Sequence, residues 1–452
     1  MTFAGRPHQR DRTESTPHLF NADAAGGVPS RQRPLGESDP QMPLSMADEP
    51  ADRPPVADLP DAVIAELPAE HAISPPALAT ESKPGTRKRL VFIGDVHGRI
   101  SALQALLEKI GFDHRHGDHL VFVGDIVTKG PDSAGVIKLA LDVGASGVRG
   151  NHDDNVLMAY KALQKKEKHH KKKHRKSLDM ASEDVESKGD GEGTDTEGET
   201  ARLTAAQTKH ADHARAVARS LSPKQIKWLS SLPIALRIGR VSNTTSEDMP
   251  WNAGEIVVVH AGLVPGVPLE QQDPWAMMNM RTLLYPALKT ASDETSDAET
   301  LNEGTIPDET LVSKDDSEES TTTTDDLLAV PSDARHGEPW AHAWNRYQNT
   351  AIPSPADRTI VIYGHDARAG LQADVDITHR RAQLEAEKKR GKTKHGKKKK
   401  KKGTKGIRYA FGLDSGCGHG RQLTALVLEA GPRPEDGVFH RIEQVECGEV
   451  DS

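Results

Sequence analysis

The sequence predicts an α/β fold in which helices pack on a parallel sheet. Leu90–Ile93 and Leu120–Val123 are short apolar runs that end in Gly-Asp, a pattern typical of buried strands. Ser101–Ile110 and Asp132–Val143 carry apolar residues at helical spacing, and Ser146–Val148 indicates a third strand. This β-α-β-α-β order predicts parallel strands, because parallel neighbours need a crossover connection and a helix supplies it.

The same elements return in the second half of the chain. Ser222-Pro223 predicts an N-cap followed by proline at the first helical position, and therefore a helix start. Ile256–Val259, Thr359–Ile362 and Leu423–Leu428 predict further strands. The first two of these strands lead directly into a histidine motif.

Composition indicates one medium-sized ordered domain within the 452 residues. Charged residues make up 28% of the chain and are concentrated in runs that bury little apolar surface. We expect a disordered leader at 1–86, in which Asp61–Glu70 could form a short helix with nothing to pack on. The domain is predicted at 87–450, interrupted by solvated low-complexity insertions near 165–200, 291–326 and 380–405.

Charge and cysteine content bear on partners and compartment. The formal net charge of −8 is uninformative about partners, because basic and acidic residues occupy separate blocks. Two cysteines, Cys417 and Cys447, make no disulfide framework and indicate a reducing compartment. The polar N-terminus has no signal-peptide core, and no run of about 18 apolar residues predicts a membrane span. We therefore expect a cytoplasmic protein that does not associate with membranes.

Five short motifs follow predicted strands. Asp95 and Asp125 lie 30 positions apart, about one βαβ unit, so adjacent parallel strands would bring the two carboxylates together. Ligands bind α/β sheets at these strand ends. The motifs are Gly94–Gly98 (GDVHG), Gly124–Gly130 (GDIVTKG), Gly150–Asp153 (GNHD), Val259–Gly262 (VHAG) and Tyr363–Asp366 (YGHD).

The side chains in these motifs form a mixed set of nitrogen and oxygen ligands. Paired carboxylates repel unless positive charge lies between them. Imidazole with carboxylate suits Mn, Fe or Zn better than Ca, and six ligands with one shared carboxylate suffice for two metals. Two metals about 3.5–4 Å apart are typical of enzymes that displace groups at phosphorus. The predicted ligands are Asp95, His97, Asp125, Asn151, His260 and His365.

Any one of these motifs alone is more typical of an ordinary turn or a core histidine. Their order, each at a strand end, resembles the calcineurin-like metallophosphoesterase superfamily and, within it, the phosphoprotein-phosphatase branch that includes symmetrical diadenosine tetraphosphatases. The resemblance spans roughly Leu90 to Leu428, less the insertions. It implies a four-layer α/β/β/α sandwich, with two β-sheets flanked by helices and the metals at the strand ends.

The resemblance also implies roles for individual residues. Asp95 and His97 would bind the first metal, Asp125 would bridge both, and the other predicted ligands would bind the second. His152 matches the general acid, which protonates the leaving oxygen while a metal-bridging hydroxide attacks phosphorus in line. Lys129 and Arg281 match phosphate-holding positions. The cofactor would be two divalent metal ions, drawn from Mn, Zn, Fe and Co.

Departures from the family pattern indicate the substrate class. Thr128-Lys129 stands where protein phosphatases have Asp-Arg, and Asp153 stands where the family usually has Glu. The motif at Gly412–Gly420 resembles diadenosine tetraphosphatases. The second and third motifs are most similar to eukaryotic relatives that include a vacuolar, zinc-dependent fungal endopolyphosphatase, which makes the vacuole an alternative location.

These features favour hydrolysis of phosphoanhydride bonds in inorganic polyphosphate or a dinucleoside polyphosphate. A protein Ser/Thr phosphatase is the alternative, and a catalytically silent scaffold is disfavoured because every predicted metal position is filled. The expected partner is a polyanionic phosphate substrate. The lysine tract Lys388–Lys405 could attract long polyanions, or serve as a nucleic-acid or nuclear-import patch. The sequence does not indicate an oligomeric state.

Overall fold

A computed structural model describes residues 56–73, 88–180, 205–241, 250–285, 329–373, 407–430 and 437–448. The strands are β1 (Ile64–Glu66), β2 (Arg89–Ile93), β3 (Asp118–Phe122), β4 (Ser146–Gly147), β5 (Ala235–Gly239), β6 (Glu255–Val259), β7 (Thr282–Leu284), β8 (Val330–Ser332), β9 (Glu338–Pro339), β10 (Thr359–Tyr363), β11 (Ala410–Gly412), β12 (Gln422–Ala430) and β13 (Val438–Glu446). The helices are α1 (Ile100–Ile110), α2 (Ser133–Asp142), α3 (Asn151–Met180), α4 (Ala205–Ser220), α5 (Pro223–Ser231), α6 (Pro274–Asn279) and α7 (Trp340–Thr350).

Two five-stranded sheets form the centre of the fold. One has the strand order β13-β12-β2-β3-β4 and the other β1-β5-β6-β10-β11. The runs β2-β3-β4 and β6-β10-β11 are parallel, whereas β12 pairs antiparallel with β2. Between residues 90 and 428, the strands and helices predicted from the sequence are present, with their ends within two residues of those expected. Ser222 caps α5 through a capping box with Gln225, as its position in the sequence predicts.

Alternating side chains of β2 separate the two parts of the core. Leu90 and Phe92 point into a core shared with strands of the second sheet, as expected for a face packed sheet on sheet. Val91 and Ile93 point the other way, into a core shared with α1, α2 and α5. Helices α6 and α7 cover the second sheet with buried side chains that include Met277. This arrangement confirms the predicted four-layer α/β/β/α sandwich.

The Lys/His-rich segment expected to begin an insertion near residue 165 is helical. It continues α3, which starts at Asn151 and runs for 30 residues, and its side chains at 165–172 are exposed. Residues 181–200 and the predicted insertions at 291–326 and 380–405, including the lysine tract, lie outside the described residues. No helix within the described ranges has both the length and the apolar composition needed to cross a membrane.

The segment 56–73 belongs to the domain, so the expected leader limit at residue 86 and the short helix at 61–70 are wrong for this part of the chain. Ile64–Glu66 forms a strand parallel to β5. The buried Arg149 donates to the Asp58 carbonyl at 3.0 Å, and Asp154 accepts from the main-chain N of Ala57 at 2.8 Å. Arg149 and Asp154 also pair with each other at 3.2 Å, so one buried ion pair ties this segment to the start of α3.

Cys417 and Cys447 form a disulfide, which corrects the expectation of no disulfide. The bond joins the loop after β11 to the end of β13. The two residues lie 30 positions apart in sequence, and no local motif marks them as partners. Because the two cysteines are paired, they no longer indicate a reducing compartment.

Replacing Ile73 by Ala should destabilise the domain, because this side chain is 2% exposed and packs in the core of the sheets. We expect the free energy of unfolding to fall by roughly 2–5 kcal/mol, as for other buried aliphatic truncations. Chemical denaturation measures it. Leu59→Ala is the control, because Leu59 is 45% exposed and such surface changes usually stay within about 0.5 kcal/mol. If both changes lower the free energy of unfolding by the same small amount, segment 56–73 does not pack against the core of the sheets.

Candidate metal centre

Loops from both sheets meet at one edge of the sandwich. Asp95 follows β2 and Asp125 follows β3, both in the first sheet, whereas His260 follows β6 in the second. Their ligand atoms all lie within 4.8 Å of one another, and all three side chains are buried. The carboxyl ends of the parallel strands therefore bring acidic and imidazole groups together, as the sequence predicts.

Asp125 lies at the middle of this cluster. Its Oδ2 is 3.4 Å from Nε2 of His97, and its Oδ1 is 3.3 Å from Nε2 of His260. That same nitrogen of His260 lies 3.1 Å from Oδ1 of Asn151, and the main-chain N of His152 donates to Asp125 Oδ1 at 2.9 Å. One carboxylate thus faces candidate ligands on both sides, which suits the bridging role that the family resemblance implies for Asp125.

Three histidines are each held by a main-chain carbonyl at one ring nitrogen. His97 and His260 use Nδ1 and His365 uses Nε2, so the other ring nitrogen of each is the one that would bind a metal. This is how metal-binding histidines are usually oriented. The carbonyls belong to Val127, Val123 and Asn279, at 3.2, 2.9 and 2.9 Å, respectively. The His365 main-chain N also donates to the Asp95 carboxylate at 3.1 Å, so this loop of the second sheet contacts the first.

Backbone strain is concentrated at this centre. Within the described residues, the non-glycine residues with positive φ all belong to the motifs: His97, Asp125, Thr128, Lys129 and His365, with φ between 48° and 72°. Such conformations cost of order 1–3 kcal/mol each and persist where surrounding contacts impose them. The contacts of the surrounding fold therefore hold the backbone of the centre in conformations that are locally unfavourable.

Two carboxyl groups near the centre were not among the predicted site residues. Asp153 accepts hydrogen bonds from main-chain N atoms of Ile126 (3.0 Å), Val127 (3.2 Å) and Gly150 (2.9 Å), and so holds the Asp125 loop against the start of α3. Asp414, which follows β11, lies beside Asp95 and is also buried. A strand followed by Gly-x-Asp signals Asp414, but β11 has only three residues and is hard to recognise in the sequence.

Charges at the centre are poorly balanced by the protein alone. Burial, together with the neighbouring Asp414 and Asp125, holds the pKa of Asp95 well above its usual value. Burial acts in the same direction on Asp125, but the histidines around it, His260 foremost, hold its pKa well below the usual value. Burial also lowers the pKa of His97, which favours the neutral imidazole that metals bind. A donor set of carboxylates, imidazoles and an amide therefore fits divalent metal ions.

His152 and Lys129 occupy one side of the centre. Burial lowers the pKa of His152 to about 4, and its Nδ1 lies 3.1 Å from the Thr128 hydroxyl. Lys129 Nζ lies 2.8 Å from Nε2 of His97, and its main-chain N donates to His213 Nε2 at 3.0 Å. The structure therefore places both predicted residues beside the ligand cluster. Helix α4 contributes His213, which no sequence motif indicates.

Arg281 lies on another side of the centre, where it lines a cavity of about 270 Å³. His365 lines the same cavity, so the predicted phosphate-holding arginine and a predicted ligand share one space. Burial, followed by the like charge of Arg335, lowers the pKa of Arg281. Arg335 itself forms a two-point ion pair with Asp366, at 2.9 and 2.5 Å.

A family model described as calcineurin-like phosphoesterase matches residues 88–369, more than half of the chain. The chain belongs to this family. The match covers all five strands that precede predicted ligands, β2, β3, β4, β6 and β10, and the loops that follow them. Members of this family are phosphoesterases that use divalent metal ions, in agreement with the donor set at the centre.

Curated relatives match this chain over a shorter segment. The symmetrical bis(5'-nucleosyl)-tetraphosphatase of Cellvibrio japonicus is 42% identical over 78 residues, covering 17% of this chain and 28% of the relative. Serine/threonine-protein phosphatase 1 of Salmonella typhimurium is 40% identical over 72 residues, covering 16% and 33%. The chain thus spans about a third or less of the length of these relatives.

A solved metallophosphoesterase structure from Sphaerobacter thermophilus is 14% identical and covers 80% of this chain and 88% of its own. Its TM-score of 0.31 is too low to establish a shared fold. Membership of the family therefore rests on the matched family model and agrees with the motifs and the donor set.

Metal content should separate the predicted roles of His260 and His152. His260→Ala removes a buried imidazole that faces both Asp125 and Asn151, so we expect loss of about one metal equivalent per chain. His152→Ala is the control, since this histidine is partly buried next to Asn151 but is not a predicted metal ligand; its metal content should equal that of the unchanged protein. Elemental analysis after gel filtration measures both. Full metal content in His260→Ala would contradict the proposed ligand set.

Proposed function

We propose that this phosphoesterase hydrolyses phosphoanhydride bonds in inorganic polyphosphate or a dinucleoside polyphosphate. The single observation that carries the proposal is the position of the Asp125 carboxylate, which lies 3.4 Å from His97 and 3.3 Å from His260. One carboxylate between two sets of donors suits two neighbouring metals, the arrangement used for displacement at phosphorus. The symmetrical tetraphosphatases among the relatives support the anhydride over other phosphate substrates.

The proposed cofactor is a pair of divalent ions drawn from Mn, Zn, Fe and Co. Asp95, His97 and Asp125 would hold the first ion, while Asp125, with the remaining donors Asn151, His260 and His365, would hold the second. When bound, such ions supply an activated water and stabilise negative charge on phosphorus oxygens. The protein's own part is to orient these donors, and the carbonyl contacts to the three histidines support that function.

His152 is proposed to protonate the leaving oxygen. Its low pKa of about 4 reflects burial in the protein without substrate, and a bound phosphate anion would raise it, since opposite charge favours the imidazolium. The Thr128 hydroxyl, 3.1 Å from Nδ1, is placed to orient the ring. A neutral hydroxyl stabilises an imidazolium less than the Asp of protein phosphatases would, and a phosphoanhydride, whose leaving group is already acidic, needs less proton donation.

Lys129 and Arg281 are proposed to hold phosphate, each beside a different predicted ligand. Lys129 Nζ contacts His97 at 2.8 Å, and Arg281 lines the cavity next to His365. Both side chains carry donors and no acceptors, so an anion is their natural ligand. A lysine offers a single point charge, whereas an arginine would offer a planar fork of donors. The point charge suits a flexible polyphosphate better than one fixed phosphoester geometry.

A protein Ser/Thr phosphatase is the second candidate. The Salmonella relative named as such supports it, with 40% identity over 72 residues. Thr128 and Lys129 argue against it, because the Asp-Arg pair at those positions in protein phosphatases supplies a charged partner for the histidine and a bidentate grip on phosphate. The two candidates differ in substrate while sharing one centre.

A substrate comparison tests the proposal. With purified protein in Mn, Zn, Co or Mg, we expect polyphosphate or diadenosine tetraphosphate to be hydrolysed with a higher kcat/KM than a phosphoserine peptide. Released phosphate and nucleotide products are measured by chromatography. Asp125→Asn should nearly abolish turnover, because it weakens both metal positions together. A preference for the peptide would favour the second candidate, and full activity in chelator would exclude the metal mechanism.

Substitution of His152 should slow turnover in a leaving-group-dependent manner. His152→Ala is expected to lower kcat by roughly 10²–10⁴-fold on a substrate with a poor leaving group, the usual contribution of a general acid. The loss should shrink for an aryl phosphate whose phenol is acidic, because that oxygen leaves without a proton. Steady-state kinetics on a series of aryl phosphates measures this trend. An equal loss of kcat across the series would contradict the proposed role of His152 as a proton donor.

A further inference from the structure

Two guanidinium groups line the cavity beside His365. Arg281 and Arg335 both contact this space of about 270 Å³, together with His342 and Gln372. His152, which faces the leaving group in the proposed function, is not among its lining residues within the described chain. The cavity therefore adjoins the metal centre on a side that does not include the proposed proton donor.

Positive charge exceeds negative charge in this cavity. Among the described residues, the Arg281 side chain makes one hydrogen bond, from Nη1 to the main-chain carbonyl of Asp333 at 3.1 Å, and forms no ion pair. Asp366 is the carboxylate that lines the cavity, and Arg335 holds both of its oxygens. The Arg335 side chain is 40% exposed, and ion pairs of that exposure stabilise only weakly. An incoming phosphate can therefore compete with Asp366 for Arg335.

The number of substituents on phosphorus decides what the site must accommodate. A phosphate monoester carries one substituent, which leaves, whereas a phosphorus inside a polyphosphate chain carries a second one that stays. Hydrolysis there forms one P–O bond to the oxygen of water and breaks one bridging P–O bond. The leaving phosphate takes up one proton and a second proton goes to solvent. The retained phosphoryl group needs a place away from His152.

We propose that the cavity holds this retained phosphoryl group and that Arg335 binds it in exchange for Asp366. Arg335 would then be the residue that selects internal anhydride linkages over monoesters. This inference rests on the proposed function, because only a substrate with a second phosphoryl group on the scissile phosphorus or next to it would use the cavity. A guanidinium suits the role because it forms two parallel hydrogen bonds to phosphate oxygens.

Binding of non-hydrolysable anions tests the inference independently of turnover. Titration calorimetry on the full-length, metal-saturated protein gives Kd for orthophosphate and for methylenediphosphonate, which has two linked phosphoryl groups. We expect the unchanged protein to bind the diphosphonate more tightly. Arg335→Gln should weaken diphosphonate binding by roughly tenfold, the loss of about one charged hydrogen-bonding partner, and leave orthophosphate binding unchanged.

Arg346 provides a matched control within the same fold. It pairs with Glu338 much as Arg335 pairs with Asp366, and its side chain is 42% exposed, but it does not line the cavity. Arg346→Gln should leave both dissociation constants unchanged. Asp366→Asn breaks the Arg335 ion pair yet keeps the guanidinium, so diphosphonate binding should be retained or become tighter.

Three results would overturn the inference. Arg335→Gln could weaken both anions equally, which would indicate general support of the centre. Arg335→Gln could weaken the binding of neither anion, which would show that Arg335 does not contact the diphosphonate. Asp366→Asn could lose selectivity for diphosphonate as Arg335→Gln does, which would assign the effect to the ion pair. The proposed function fails by a different result, namely that the unchanged protein binds diphosphonate selectively but hydrolyses no phosphoanhydride.

Discussion

Three carboxyl groups, those of Asp95, Asp125 and Asp414, are buried together where the parallel strands of two sheets end. Burial and the neighbouring charge of Asp125 raise the pKa values of Asp95 and Asp414. Burial also acts to raise the pKa of Asp125, but the surrounding histidines, His260 foremost, hold it low. A cluster of this kind is costly for a protein unless cations share the space. The need to hold such cations explains why the strand ends of both sheets converge on one point.

Close approach between the sheets depends on residues without side chains. A Cβ on Gly364 would overlap the Asp95 carboxylate, and one on Gly124 would overlap the His260 ring. Gly124 also has φ of 99°, which side chains rarely permit. These glycines therefore allow a loop of one sheet to lie directly against a ligand presented by the other.

The strained loops are held by contacts beyond the candidate ligands. Asp153 accepts three main-chain hydrogen bonds around the Asp125 loop, and the main-chain N of Thr128 donates to the Ser133 hydroxyl at 3.0 Å. Gly418, next to the disulfide-bonded Cys417, packs so closely on His97 that a Cβ there would overlap the ring. Such surrounding contacts supply the energy that keeps positive-φ ligands in place, which is the usual basis of a preorganised site.

The sequence by itself determined the α/β class, six of the strands and three of the helices in the described ranges, and the six candidate ligands, because each ligand directly follows a local pattern. Tertiary structure alone decided the strand at 64–66, the disulfide, and the placement of Asp414 and Arg335 near the centre. Each of these depends on partners far apart in the chain. β1 pairs with β5, Cys417 pairs with Cys447, and Arg335 pairs with Asp366 across 31 positions. Local periodicity and spacing report which element a residue occupies, whereas its distant neighbours are set only when the two sheets pack.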